Sequence, residues 1–378
     1  MREYIVVFLV ASVVSYLLCV VARELASRAG AVARIRDRDV HEIPIPYFGG
    51  LAMLGGLAAG LLVARHLPFL GNASELARHD TMVVLTAGAI ICGVGVVDDL
   101  IELDAITKLG GQVIAAGYLV WGQVQFYGLN VSGDNQFVLE PAQVVVVTVL
   151  LVVGTVNAVN FVDGLDGLAS GVVLIGAIAF FFFSYRLADV NAETLAITAA
   201  MLCAAMGGAC AGFLPHNFFP ARIFMGDSGS MLLGLVLSGS ALTLTGQFAG
   251  VQMQQGDGVG QPGSWPTLLI PILLPISILI IPLLDLVLAV VRRTARGQAF
   301  YHPDKEHLHH RLLEIGHSQR RAVLIMWMWA GLVAFGAVLL SLYGGGWPWA
   351  AIGAGVAFCV LMTWYLPRLD RPEPVRPH

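Results

Sequence analysis

The sequence predicts an all-α, polytopic integral membrane protein of about eleven transmembrane helices, with its polar loops gathered on the cytoplasmic side. Three observations lead there. Of 378 residues, 57% are hydrophobic and only 12% charged, and the mean hydropathy is +0.78, so polar surface is too scarce to clothe a water-soluble core of this size. Apolar runs recur along the whole chain, each long enough for the roughly 20 helical residues that cross a bilayer. The basic residues, finally, fall almost entirely in alternate loops.

The runs cover 3–24, 48–66, 81–97, 108–122, 141–157, 168–186, 192–214, 229–247, 265–291, 322–343 and 347–366. The first exceeds the apolar stretch of about 7–15 residues in a secretory signal, so it reads as a membrane anchor. The fourth and fifth are short or mildly polar. Pro271, Pro275 and Pro282 interrupt the ninth, which also carries Asp285. Prolines kink membrane helices, so this helix either splays to open a lipid-facing groove or bends only for packing. Segment 248–264, rich in Gly, Gln and Pro, reads as a flexible connector. Cys19, Cys92, Cys203, Cys210 and Cys359 lie in apolar runs without metal-ligand spacing and are expected as small core residues. Residues 1–378 form one membrane-embedded domain on this reading, ending in a short cytoplasmic tail, 367–378.

Threading the chain through these runs puts 17 of its 21 Lys and Arg residues on one side, leaving Arg2, Arg65, Arg78 and Arg186 on the other. The positive-inside rule makes the first side cytoplasmic, with the N-terminus outside. The same side receives the polar clusters HEIPIPYFGG (41–50), VVDDLIELD (96–104), NAVNFVDGLDGLA (157–169), PARIFMGDSGS (220–230) and HPDKEHLHHRLL (302–313). A multi-span transporter or flippase would set its polar residues near mid-bilayer in paired broken helices; polar clusters at one surface favour an enzyme. No P-loop GxxxxGK[ST] is present, and no interleaved aromatic and basic stretch suggests nucleic acid.

Asp98 and Asp99 end an apolar helix at the membrane surface. Adjacent carboxylates repel each other and are expensive near lipid without a cation or donor; a divalent metal would compensate them, or they solvate the helix end. In NAVNFVDGLDGLA, Gly164 and Gly167 free the backbone for a tight turn, and Asp163 and Asp166 are spaced to face one side of it. Asn157 and Asn160 lie three apart on the preceding helical turn. Capping would explain one of these four groups, not the paired spacing of all. In ARIFMGDSGS, backbone N–H groups at a helix start can cradle phosphate, with Asp227 holding a metal beside it. Phe224 offers either a stacking face for a base or simple packing. His302, His307, His309 and His310 have no cysteine beside them, and neighbours on a helix point about 100° apart, which suits lining a pocket better than chelating zinc. Carboxylates argue instead for magnesium, leaving imidazoles and Arg293, Arg296 and Arg311 as phosphate donors. Together these parts specify phosphoryl transfer from a soluble nucleotide to a lipid acceptor.

Taken in order, VVDDL, NAVNFVDGLDGLA, PARIFMGDSGS and HPDKEHLHHRLL resemble the polyprenyl-phosphate N-acetylhexosamine-1-phosphate transferases, over about residues 41–313. The resemblance implies a bacterial plasma-membrane enzyme with a cytoplasmic active site. Such an enzyme takes a UDP-N-acetylamino sugar and Mg²⁺, with Mn²⁺ an admissible substitute, transfers the sugar 1-phosphate to undecaprenyl or decaprenyl phosphate, and releases UMP. It implies that Asp98 and Asp99 engage or deprotonate the lipid phosphate and that Asp227 is the metal ligand. Asn157, Asn160, Asp163 and Asp166 would line the nucleotide-metal pocket, Phe224 would stack on uracil, and Asp304, His307, His309 and His310 would contact the diphosphate or sugar. The HLHH ending is similar to the GlcNAc-1-phosphate transferases that start O-antigen, teichoic acid or arabinogalactan-linker synthesis. The peptidoglycan branch, which moves phospho-MurNAc-pentapeptide, usually carries three consecutive histidines. Two departures bear on sugar recognition: Tyr47 stands where the family usually has Arg, and Tyr301-His302 replace a Ser-Pro-Phe context. A homodimer is left open.

Overall fold

The computed structural model describes residues 1–32, 44–132, 135–191, 194–245, 317–343 and 345–369. Ten α-helices stand among the described residues: α1 (Arg2–Ala29), α2 (Gly49–Ala64), α3 (Glu75–Ile101), α4 (Ala105–Trp121), α5 (Pro141–Val162), α6 (Leu168–Asn191), α7 (Thr194–Asn217), α8 (Gly226–Thr245), α9 (Gln319–Leu342) and α10 (Trp347–Leu369). Each follows one of the apolar runs. The run at 265–291 with its prolines lies outside the described residues, as do the connector at 248–264 and the motif at 302–313.

Eight of the ten helices are long and apolar enough to cross a bilayer, which makes this a multi-pass membrane protein. The other two are shorter: α4 comes from the fourth run, already expected to be short, whereas α2 comes from the second, expected to cross. Helices α2 and α4 have 16 and 17 residues, or about 24–26 Å at 1.5 Å per residue, short of a hydrocarbon core roughly 30 Å thick. The run 48–66 loses three residues to the caps of α2: Phe48 adopts a left-handed φ of 76° ahead of Gly49, and the helix ends at Ala64, before Arg65 and His66. The all-α expectation holds for nearly all the described residues, with one short hairpin added to it. Between α4 and α5 the strands β1 (Gly128–Ser132) and β2 (Asn135–Val138) pair antiparallel, Gly128 opposite Val138 and Leu129 opposite Phe137. Leu129 to Ser132 alternate apolar and polar ahead of Gly133-Asp134, a hairpin signal too short to register among the longer apolar runs.

The least apolar of the eight long helices occupies the centre. The window of α8 has mean hydropathy 1.2 and is 94% buried, whereas that of α1 has 2.8 and is 28% buried. Lipid contact demands apolar surface, while contact between membrane helices is driven by close packing of small residues. The Gly and Ser residues of GDSGSMLLGLVLSGS let α2, α3, α5 and α7 all pack onto α8. Helix α10 breaks the ordering: its window is only 11% buried at hydropathy 1.4, and Trp347, Trp349 and Trp364 are exposed, as in the aromatic belts at membrane interfaces. All five cysteines are buried and free, in keeping with a packing role.

Because successive helices reverse direction, the ends of α1, α3, α5 and α7 and the starts of α2, α4, α6 and α8 meet at one end of the bundle. Hydrogen bonds stitch that end together: Tyr47 N–H to Ala31 O at 2.9 Å, Phe224 N–H to Pro46 O at 2.9 Å and Gly50 N–H to Met225 O at 3.1 Å. Helix α3 approaches α8 so closely that a Cβ at Gly95 would overlap the backbone of Asp227 and Ser228. Gly95→Ala should therefore lower thermal stability in detergent by about 1–3 kcal/mol, as overpacking does. Gly93→Ala, two residues away with nothing within 4 Å of its Cβ, should stay within roughly 0.5 kcal/mol of the parent. Equal unfolding midpoints for the two variants would contradict this packing.

Candidate active site

The N-terminus of α8 is capped from another helix. Asp99, in the last turn of α3, accepts the N–H of Asp227 on Oδ1 at 2.8 Å and that of Ser228 on Oδ2 at 3.3 Å. A carboxylate there satisfies two of the unpaired donors of the helix start and meets the positive end of its dipole. Gly226 makes the approach feasible: its φ is +69°, and a Cβ on it would sit 2.5 Å from Asp99 Oδ2. Asp99 thus fixes α8 to α3 rather than merely solvating a helix end.

Asp98 turns the other way. It is 8% exposed; its Oδ1 accepts the N–H of Leu103 at 2.7 Å, closing the turn after α3. That turn is three residues long, and Asp104 ends it by capping α4, its Oδ1 accepting the N–H of Ile106 at 3.0 Å and of Thr107 at 3.1 Å. Hydrogen bonds from Thr107 hold the Asp104 carboxyl below its ordinary value. One turn into α4, Lys108 points back at the acidic end of α3. Its Nζ lies 3.1 Å from Asp98 Oδ2 and 2.6 Å from Asp227 Oδ2. The second oxygen of Asp227 accepts from Asn160 Nδ2, which also reaches Ser230 Oγ at 2.8 Å. One polar chain therefore links α3, α4, α8 and α5.

Asp163 follows α5 in the turn to α6. Burial pushes its carboxyl up to about 7, and the negative charges of Asp227, Asp99 and Asp166 push the same way. Asp98, Asp99, Asp163 and Asp227 are thus gathered at one end of the bundle, as the sequence led us to expect. Asp166 parts from them. It is 4% exposed, and its Oδ2 accepts the N–H of Ala221 at 2.9 Å, tying the Asp163–Gly167 turn to the loop before α8. Asn217 braces the same junction, accepting the Gly167 N–H at 3.0 Å and donating to Ile223 O at 3.1 Å. The segment from Asp163 to Gly167 is a turn rather than a helix start, with Gly167 at φ +76°.

Asn157 lies one turn deeper on α5 and pairs with Gln112 of α4. Phe224 is partly exposed in the loop before α8, its ring 6.0 Å from that of Tyr47 at 43°. Asp304, His307, His309 and His310 lie outside the described residues. Sequence reasoning missed Lys108 as a site residue. Its signal was compositional: it is one of two lysines in a chain whose basic residues are otherwise 19 arginines, and it stands one turn after a capping Asp.

The donor set suits a hard divalent cation in chemistry, being carboxylate and amide oxygens with negative charge in excess. Among the described residues, no three acidic, His or Cys side chains are placed to cage an ion, since Lys108 lies between two of the carboxylates and Asp99 faces the α8 backbone. Asp227 and Asp163 are the side chains that could hold a cation once Lys108 turns aside.

Sequence similarity gives the class of this multi-pass bundle: a sugar-1-phosphate transferase. The chain belongs to glycosyl transferase family 4, whose pattern matches residues 81–245, the segment carrying all four clustered aspartates. Among its relatives is the decaprenyl-phosphate N-acetylglucosaminephosphotransferase of Mycobacterium tuberculosis (strain CDC 1551 / Oshkosh), 44% identical over 340 residues, 89% of this chain and 82% of that protein. The Mycolicibacterium smegmatis protein of the same name is 42% identical over 98% of this chain and 90% of its own length. The phospho-N-acetylmuramoyl-pentapeptide-transferase of Mycobacterium bovis (strain BCG / Pasteur 1173P2) is 33% identical but over 64% of this chain and 77% of its own.

Two outcomes are expected. Asp163 binds its proton more tightly folded than unfolded, so its ionisation opposes folding above pH 7 and that opposition disappears as pH falls toward 4. In chelator, the unfolding midpoint should rise between pH 8 and pH 5, and Asp163→Asn should flatten the rise. Asp98→Asn and Asp227→Asn should each cut turnover at least 100-fold while the protein stays monodisperse in detergent; either variant keeping most of its activity would remove that residue from the site.

Proposed function

We propose that this protein transfers N-acetylglucosamine 1-phosphate from UDP-N-acetylglucosamine to a polyprenyl phosphate, releasing UMP, as the first membrane step of a cell-envelope polysaccharide. The observation that carries the reading is the convergence of Asp98, Asp99, Asp163 and Asp227 with Lys108 at one end of the bundle, in a chain similar over nearly its whole length to proteins named for that activity. Those names favour decaprenyl phosphate as acceptor. The cluster lies at the end rich in Lys and Arg, which supports a cytoplasmic active site in the plasma membrane with the N-terminus outside.

On this reading an oxygen of the lipid phosphate attacks the β-phosphorus of the nucleotide sugar. A new P–O–P bond forms, the bridge to the α-phosphate breaks, and its electron pair leaves with UMP. Asp98, beside the membrane surface, orients the acceptor phosphate and takes its proton. Asp99 holds the start of α8 in register, so that Asp227 is presented to the diphosphate. Asp163 and Asp227, with Asn160 beside them, would hold Mg²⁺, which supplies positive charge to the phosphates when bound. Lys108 supplies a second positive charge once it leaves the carboxylates. Phe224, braced by Tyr47, offers a face to the uracil, and Asp166 positions the loop that carries it. Positioning and charge neutralisation suffice because phosphoryl transfer asks for little covalent help.

One diphosphate bond is broken and another made, so the reaction should run in both directions. Purified protein with Mg²⁺, lipid-linked product and labelled UMP should place label in UDP-N-acetylglucosamine, and exchange should vanish without the lipid. Protein that releases UMP from UDP-N-acetylglucosamine with decaprenyl phosphate yet catalyses no exchange would overturn the scheme.

A further inference from the structure

One turn below the acidic cluster, two buried amides meet. Gln112 of α4 is 1% exposed. Its Oε1 accepts from Asn157 Nδ2 at 2.6 Å, and its Nε2 reaches back to Asn157 Oδ1 at 3.4 Å. Asn157 Nδ2 also donates to Val153 O at 2.8 Å, which assigns the nitrogen and leaves the Asn157 amide engaged at both ends by protein. Gln112 Nε2 further lies 3.6 Å from Met231 Sδ on α8. The three helices joined here are those that carry Lys108, Asn160 and Asp227.

The spacing makes the pair a second rung. Gln112 follows Lys108 by four residues on α4, and Asn157 precedes Asn160 by three on α5, so in each helix the two side chains share a face. On the upper rung, Lys108 meets Oδ2 of Asp227 and Asn160 meets Oδ1. A slip of α4 along α5 would break both rungs together, and an amide pair tolerates no such slip because donor must face acceptor on both sides. Apolar contacts elsewhere between these helices carry no such directional requirement.

We propose that Gln112 is a positioning residue: its reciprocal pair with Asn157 sets α4 against α5 so that Lys108 and Asn160 reach opposite oxygens of Asp227, and Asn157 itself holds no substrate. The inference deepens the transferase reading and rests on it.

The test compares Gln112→Met, which keeps length and packing but removes both polar ends, with Asn157→Leu, their double variant, and the swap Gln112→Asn with Asn157→Gln. Each single variant should lower kcat for UMP release about 10- to 100-fold, as a misplacement near 1 Å does, with KM for UDP-N-acetylglucosamine within about threefold of the parent. The double variant should be no worse than either single one, since the two residues act as a unit. The swap, which can rebuild a reciprocal pair, should recover at least tenfold over the singles. A raised KM in Asn157→Leu with Gln112→Met near the parent would make Asn157 a substrate ligand and overturn the proposal, as would independent, multiplying losses. Unfolding midpoints in detergent read the same coupling without substrate: non-additive shifts are expected, and additive ones would sink the pair. Parent protein that releases no UMP would fail the transferase reading instead, a result separate from the midpoint pattern.

Discussion

The structure turns on how a lipid-embedded bundle tolerates four clustered carboxylates. Charge of one sign near hydrocarbon is unfavourable unless it is compensated, and two devices compensate it here. The start of α8 offers its N–H groups and the positive end of its dipole to Asp99, and Lys108 spans Asp98 and Asp227. Asp163 shows that the compensation is incomplete, since its carboxyl is pushed up to about 7. A carboxylate cluster left partly uncompensated gives this end of the bundle a negative potential that attracts cations.

That arrangement dictates what sits where. The helix that presents Asp227 must be central, because α3, α4 and α5 all bring partners to it. Central position in turn requires small residues, which is why α8 is rich in Gly and Ser and the least apolar of the long helices. The same logic accounts for glycine at 95 and 226, where α3 and its carboxylate come within contact of the α8 backbone. Polar pairs deeper in the bundle, such as Gln112 with Asn157, add direction to packing that apolar contacts leave free to slide.

Much of this was legible in the sequence. Hydropathy alone located ten described helices, because lipid imposes long apolar runs that few other environments do. The motifs around Asp98, Asp99, Asp163 and Asp227 stood out because acidic residues at the end of apolar runs need a reason. Asp166 and Asn157 were harder. Both share helical spacing with true cluster members, yet one turns to Ala221 and the other to Gln112, and spacing along one segment says nothing about the partner opposite. Lys108 escaped for the complementary reason: a single lysine in a loop reads as sidedness until α4 folds back on α3.

The sequence by itself determined the membrane class and the acidic residues that meet, since each follows from composition and period along one chain. Tertiary structure alone decided which acid does what. Asp98 and Asp99 are adjacent and chemically identical, and only the rotation of α3 against α8 sends one to Lys108 and the other to a helix N-terminus, because a side chain's role is fixed by the group it faces across the interface rather than by its neighbour in the chain.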